Sequence, residues 1–130
     1  MNNEQQISIL VLDDEPVVCK RLRPILEKKG YAVETFFESE EALKRFKEKP
    51  FHIVITDLKM KGLDGMQFLT AVKELSPDTE VIVITGFATM ETAKESFRKG
   101  VFDFLAKPFK LGEISDIIQK AEVKVRGRIS

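Results

Sequence analysis

A chain of 130 residues with 43% hydrophobic content can fill one core and gives no sign of a second domain. Its 21 basic and 21 acidic residues cancel, which excludes a global field that would draw in nucleic acid or an anionic membrane, so any charge logic is local. The lone Cys19 cannot form an internal disulfide, no apolar run nears the roughly 18 residues of a membrane span, and no charged-then-apolar leader opens the chain, a pattern that predicts a cytoplasmic protein.

Strand and helix patterns alternate five times. Ile7 to Leu12 reads as a strand, and Glu15 to Lys29 as a helix with Val18, Leu22, Ile25 and Leu26 on one face, stopped by Gly30. Tyr31 to Phe36 predicts a second strand; Ser39 is the expected N-cap of a helix that turns Ala42, Leu43 and Phe46 inward, and Pro50 breaks it. Phe51 to Thr56 is the third strand, followed by a loop through Gly62 and Gly65 and a helix using Phe68, Leu69, Val72 and Leu75. Ser76-Pro77-Asp78 closes that unit. Glu80 to Thr85 is a fourth strand, Thr89 to Lys99 a fourth helix ending at Gly100, Phe102 to Leu105 a short fifth strand, and Leu111 to about Val125 the last helix.

Strands joined by crossovers of this length pair mostly in parallel, so the expected fold is a three-layer α/β sandwich. Pro24 predicts a bend in the first helix or an outward shift there, because proline removes a helical hydrogen bond.

Three segments carry the chemistry: Leu12-Asp13-Asp14, Ile55-Thr56-Asp57 and Ala106-Lys107-Pro108, each directly after an apolar strand. In a doubly wound sheet the carboxyl ends of the strands converge on one crevice, where three aspartates would face one lysine. Carboxylates so gathered repel unless a cation joins them, and a hard divalent ion with oxygen ligands, Mg²⁺ foremost, suits them. Lys107 adds a fixed positive charge. Cation plus lysine is the electrostatic equipment of phosphoryl transfer, with an aspartate as the available nucleophile. A single strand-end aspartate is ordinarily a turn or cap residue; the three segments together point to a site.

In order and spacing these motifs resemble the receiver domain of the bacterial two-component response regulators, from about Ile7 to Val125. The resemblance implies a flavodoxin-like five-stranded parallel sheet of order 2-1-3-4-5 with five helices. It implies a single receiver domain over 1–130, with its core at about 7–125 and a tail, or the start of a linker to an output domain, at 126–130. It makes Asp57 the phosphoacceptor, and Asp13, Asp14, Asp57 and the backbone carbonyl of Lys59 the Mg²⁺ ligands. Thr85 matches the switch hydroxyl, Phe104 the switch aromatic and Lys107 the phosphate-binding lysine, with a cis peptide before Pro108. On their own residues alone, Thr85 reads as a strand-end cap and Phe104 as core. Gly65 is expected to hold unusual dihedrals at the start of the third helix.

The chain departs from the family pattern in two places. Met60-Lys61-Gly62 has no proline after the methionine, which predicts a less constrained loop and a less firmly placed Lys59 carbonyl. Lys59 and Phe87, two residues beyond Asp57 and Thr85, border the path of hydrolytic water; Lys59 would either tether the phosphoryl group or help neutralise the attacking hydroxide, and Phe87 as a shield predicts a moderately long-lived phosphoryl state. Elsewhere, His52 is expected to be a surface residue and not a phosphodonor, Cys19 a packing residue, and the basic tail Lys120, Lys124, Arg126 and Arg128 a complement to the helix dipole.

The implied function is a switch and not a metabolic enzyme. A sensor histidine kinase or phosphotransfer protein would supply the phosphoryl group, and the domain would catalyse only its own phosphorylation and dephosphorylation. The fourth helix, fifth strand and fifth helix would then control an output domain or downstream protein, with a phosphorylation-dependent homodimer as one outcome. Neither nucleic acid nor membrane contact is expected of the domain itself. Thr85-Gly86-Phe87-Ala88 and Ala106-Lys107-Pro108-Phe109 resemble receivers of enhancer-binding transcription activators. Two rivals stand beside this reading. An aspartate-nucleophile phosphatase of the haloacid dehalogenase type would need an aspartate where Lys59 stands; a phosphorylation-independent interaction scaffold would predict a disrupted acidic site.

Overall fold

A computed structural model of the chain describes residues 5–59 and 64–129; the expectations placed on Met60, Lys61, Gly62 and Leu63 lie outside the described residues. The apolar runs form five strands, β1 (Ser8–Leu12), β2 (Ala32–Phe36), β3 (Ile53–Thr56), β4 (Glu80–Thr85) and β5 (Asp103–Ala106), all paired in parallel in the order β2-β1-β3-β4-β5. Between them run α1 (Pro16–Lys28), α2 (Ser39–Glu48), α3 (Gly65–Leu75) and α4 (Met90–Arg98), with α5 (Leu111–Ile129) after β5. The expected flavodoxin-like sandwich is the fold observed.

Successive strand residues face opposite sides of a sheet, so each central strand feeds two cores. Ile9, Val11, Ile53, Ile55, Ile82 and Ile84 meet Val18, Leu22 and Leu26 of α1 and Ile114, Ile118 and Val125 of α5. Leu10, Leu12, Val54, Val81 and Val83 meet Ala42 and Phe46 of α2 and Phe68, Leu69 and Val72 of α3. Buried on both faces, β1, β3 and β4 read as unbroken apolar runs, whereas the edge strands β2 and β5 are mostly half-buried. The peripheral α4 buries only Ser96.

Several local expectations are corrected. In α1 the fourth buried position is Cys19, with Ile25 half-buried; Pro24 lies inside the helix on its exposed side. The N-cap of α2 is Glu38, whose carbonyl accepts the Ala42 N–H; Ser39 is the first helical residue, fully buried, its hydroxyl donating to Glu40 Oε1 at 3.2 Å. Leu75, the last residue of α3, lies beyond the cluster that holds Phe68 and Val72 and is half exposed. Thr89 stands outside α4 as its N-cap, in a reciprocal capping box with Thr92. His52 stands at the N-terminal end of the sheet, opposite the aspartates, but is half-buried: its Nδ1 accepts the Ser8 N–H at 3.0 Å.

The largest difference is at the end of α5, which continues through Ile129 where the helix is expected to end at about Val125. Glu80, at the start of β4, is 2% exposed, and Arg128 Nη1 (2.5 Å) and Lys124 Nζ (3.4 Å) neutralise it. Arg128 also donates to the Asp78 carbonyl, and Arg126 to that of Gln5. A buried carboxylate needs such partners, so its pairing fixes the last turn of α5 to the base of the sheet.

Candidate functional site

The sheet ladder continues one residue past β1, β3 and β5: the N–H of Asp13 reaches the Phe36 carbonyl, that of Asp57 the Leu12 carbonyl and that of Lys107 the Thr85 carbonyl. Asp13, Asp57 and Lys107 are thereby held at one level in the crevice beyond the carboxyl ends. Lys107 Nζ lies 2.7 Å from Asp13 Oδ2, 2.9 Å from Asp57 Oδ2 and 2.6 Å from Glu15 Oε1. Glu15 is the residue that sequence reasoning missed, taken only as the start of a helix. The adjacent Pro16 restricts its predecessor to extended backbone and so signals that Glu15 lies outside the helix, though not where its carboxylate goes.

Asp57 is 5% exposed. Its Oδ1 accepts the N–H of Leu58 at 2.6 Å and of Lys59 at 3.3 Å, leaving Oδ2 to Lys107. Asp13 is fully buried, and its Oδ1 accepts the Glu15 N–H at 2.9 Å. Its Oδ2 is within ion-pair distance of Lys107 yet without hydrogen-bond direction, so a buried acceptor is left with no directed donor. Burial pushes the Asp13 carboxyl above its ordinary pKa, against the opposing pull of Lys107 and the Glu15 N–H. Burial also acts most strongly on Lys107, downward, but Asp13, Glu15 and Asp57 together carry its pKa well above the usual lysine range.

Oxygens of Asp13, Asp14 and Asp57 all lie within 4.8 Å of one another, with Asp14 exposed. Three carboxylates contact the one ammonium and Asp14 stands beside two of them, so negative groups outnumber the positive one. The all-oxygen donor set and the undirected Asp13 Oδ2 fit a hard divalent cation.

The other expected residues surround this centre. Thr85 is fully buried, its Oγ1 accepting the Phe87 N–H at 3.0 Å. Phe104 is half-buried and packs against the α2/α3 core. The Lys107–Pro108 peptide is cis. Lys59 Nζ stands 5.1 Å from the centroid of the Phe87 ring, a cation–π pair joining the segments after Asp57 and Thr85. Gly65 is corrected in its reason: the positive-φ glycines among the described residues are Gly30 and Gly100, and Gly65 is instead required by closeness. A Cβ there would fall 1.9 Å from the Asp57 carbonyl oxygen. Asp64 caps α3 by accepting the Gln67 N–H at 2.8 Å, while Gln67 Oε1 accepts the Asp64 N–H. Cys19 lies beneath the site, its Sγ 4.0 Å from the Asp13 carbonyl oxygen.

The response regulator receiver domain family matches residues 9–119. The transcriptional regulatory protein ZraR of Salmonella typhimurium is 33% identical over 121 residues, covering 93% of this chain and 27% of the relative. The chain thus spans about a quarter of the length of such relatives. Among solved structures, the beryllofluoride-activated NtrC4 receiver domain dimer is 38% identical with a TM-score of 0.85, covering 91% of this chain and 98% of that one. A Burkholderia pseudomallei response regulator, solved with a phosphorylated aspartic acid, calcium ion and citrate, is 30% identical with a TM-score of 0.81, covering 96% and 74%. Among the described residues, no helix is long and apolar enough to cross a membrane.

Proposed function

The chain belongs to the response regulator receiver domain family, and from that premise we propose that Asp57 takes a phosphoryl group from the phosphohistidine of a sensor kinase or phosphotransfer protein. The observation that carries this reading is the buried Asp13–Lys107–Asp57 constellation at three converging strand ends. An Asp57 carboxylate oxygen attacks phosphorus, the new O–P bond forms as the P–N bond breaks, and the imidazole nitrogen leaves. Backbone N–H groups of Leu58 and Lys59 orient the nucleophile, and Lys107 supplies an ammonium to a transferred oxygen. Asp13, Asp14, Asp57 and the Lys59 carbonyl are the residues that would hold Mg²⁺, directly or through water. When bound, the ion offsets charge on the phosphoryl oxygens.

Thr85 and Phe104 form the switch: the Thr85 hydroxyl turns to the phosphoryl group and the Phe104 ring moves inward. The face of α4, β5 and α5 changes with them. As a single receiver domain in the cytoplasm, the chain works as a switch that catalyses only its own phosphorylation and dephosphorylation. It controls an output domain or partner protein, transcriptional in kind by analogy with ZraR. Homodimer formation on activation is supported by the NtrC4 receiver dimer, and the aspartyl phosphate of the Burkholderia relative supports the role of Asp57.

Intact-protein mass spectrometry after incubation with acetyl phosphate and Mg²⁺ tests the reading. One added phosphoryl group, absent in Asp57→Asn and with chelator, is expected; no added mass, from acetyl phosphate or from a phosphorylated histidine kinase, overturns it.

A further inference from the structure

We infer that Glu15 is a displaceable counterion that governs how readily Lys107 turns to the phosphoryl group, an inference that rests on the phosphoacceptor reading above. An ammonium has three N–H donors, and three carboxylates stand within 2.9 Å of Lys107 Nζ. Lys107 donates directed bonds to Glu15 Oε1 and Asp57 Oδ2, with Asp13 Oδ2 in ion-pair range only, so a phosphoryl group on Asp57 draws the ammonium away from the carboxylates that hold it. The three differ sharply in what release costs. The Asp13 side chain is 0% exposed, and freeing it leaves charge buried without its partner, while Asp57 becomes the acyl phosphate, so its contact with Lys107 passes to the new phosphoryl group. The Glu15 side chain is 58% exposed and regains water on release. Glu15 is therefore the partner that yields.

A second observation separates this contact from helix capping. Glu15 is the N-cap of α1, where an acidic side chain ordinarily accepts the N–H of the second or third helical residue. It makes no such bond; Pro16 comes directly after it, its backbone is extended, and its carboxylate reaches across to a lysine 92 positions further along the chain. Meanwhile its own N–H braces Asp13 Oδ1. The backbone thus supports the acidic pocket while the side chain competes for the lysine. Glu15 acts through Lys107 and is a positioning residue, not a catalytic one.

The test compares wild type, Glu15→Gln and Glu15→Asp for binding of beryllofluoride with Mg²⁺, followed by NMR. Thermal unfolding without ligand checks that each variant is folded. Glu15→Gln removes the competing charge and has no capping bond to lose, so it should bind roughly 2- to 5-fold tighter at low ionic strength, the scale of one exposed ion pair. The advantage should fade as salt screens the pair. Glu15→Asp keeps the charge but shortens the arm; it should tighten binding as well if contact with Lys107 is what matters. Equal or weaker binding by Glu15→Gln overturns the inference, as does a Glu15→Asp variant that matches wild type. Failure of the wild type itself to bind beryllofluoride refutes the phosphoacceptor reading and takes this inference with it.

Discussion

Replacing Gly65 by alanine puts a methyl group where backbone already stands. The added Cβ would lie 1.9 Å from the Asp57 carbonyl oxygen, 2.5 Å from Leu58 Cα and 2.8 Å from the Asp57 carbonyl carbon. No rotamer change relieves contacts with main-chain atoms. The closest is about 1.5 Å short of the 3.4 Å at which ordinary contact begins, so α3 must withdraw from the end of β3. That movement strains the Gly65 N–H to Leu58 carbonyl bond, now 3.0 Å. Overpacking and a weakened hydrogen bond, less the helix preference of alanine over glycine, give a net loss of about 2–3 kcal/mol. For a domain of this size that lowers Tm by roughly 6–12 °C. Gly112 in α5 is the matched control, with nothing within 4 Å of its Cβ position; Gly112→Ala should gain about 0.5 kcal/mol. Urea unfolding followed by far-UV circular dichroism measures both. A Gly65→Ala protein as stable as Gly112→Ala would refute the close-approach argument. Because the displaced atoms belong to Asp57 and Leu58, phosphoryl acceptance from acetyl phosphate should fall in the same variant.

Three further outcomes are expected. Burial, then the charges of Lys49 and Arg126, lower the His52 pKa below 6.5. Folding therefore favours the neutral ring, and its contribution to stability, present above pH 6.5, is lost as pH falls through the folded value. As the only histidine, His52 can be titrated by NMR without ambiguity, and a midpoint at or above 6.5 would contradict the Ser8 contact. Burial, then the Asp13 charge, push the Cys19 thiol up to about 11, so a disulfide reagent at mildly alkaline pH should label it only after denaturant is added; prompt labelling of the native chain would show an open route to it. Phe87→Ala removes the ring against which Lys59 rests, and phosphoryl loss should quicken by about 2- to 5-fold, the scale of one exposed cation–π contact; an unchanged half-life denies Phe87 any shielding role.

The features legible in the sequence were those that rest on period and on chain order. Apolar runs ending in Asp13, Asp57 and Lys107 announced both the parallel sheet and the crevice, because residues just past parallel strands share one end of the sheet. Contacts between side chains distant in sequence were not legible. Nothing in a Glu-Pro pair says that its carboxylate crosses to Lys107, and nothing in an apolar helix end says that Leu75 overshoots the core. Gly65 was singled out for the wrong reason: a glycine needed for φ and one needed for closeness look alike until the neighbouring backbone is in place. The length of α5 was misjudged because basic residues suit both a helix end and a tail; the partner that decides, buried Glu80, lies 48 residues before Arg128.

The clamp between α5 and Glu80 also gives the molecule two poles. Any segment joined after Ile129 leaves from a helix bolted at its last turn to the base of the sheet, at the far end from Asp57. Such a mount would orient an attached segment instead of merely tethering it, and would start it at the pole opposite the crevice. A message written at one pole must then travel the depth of the sandwich, the six residues of β4 from Thr85 back to Glu80, or around it along α5. Cutting the bolt with Arg128→Ala would separate geometry from chemistry, leaving the crevice able to take its charge while the attached neighbour loses its bearing.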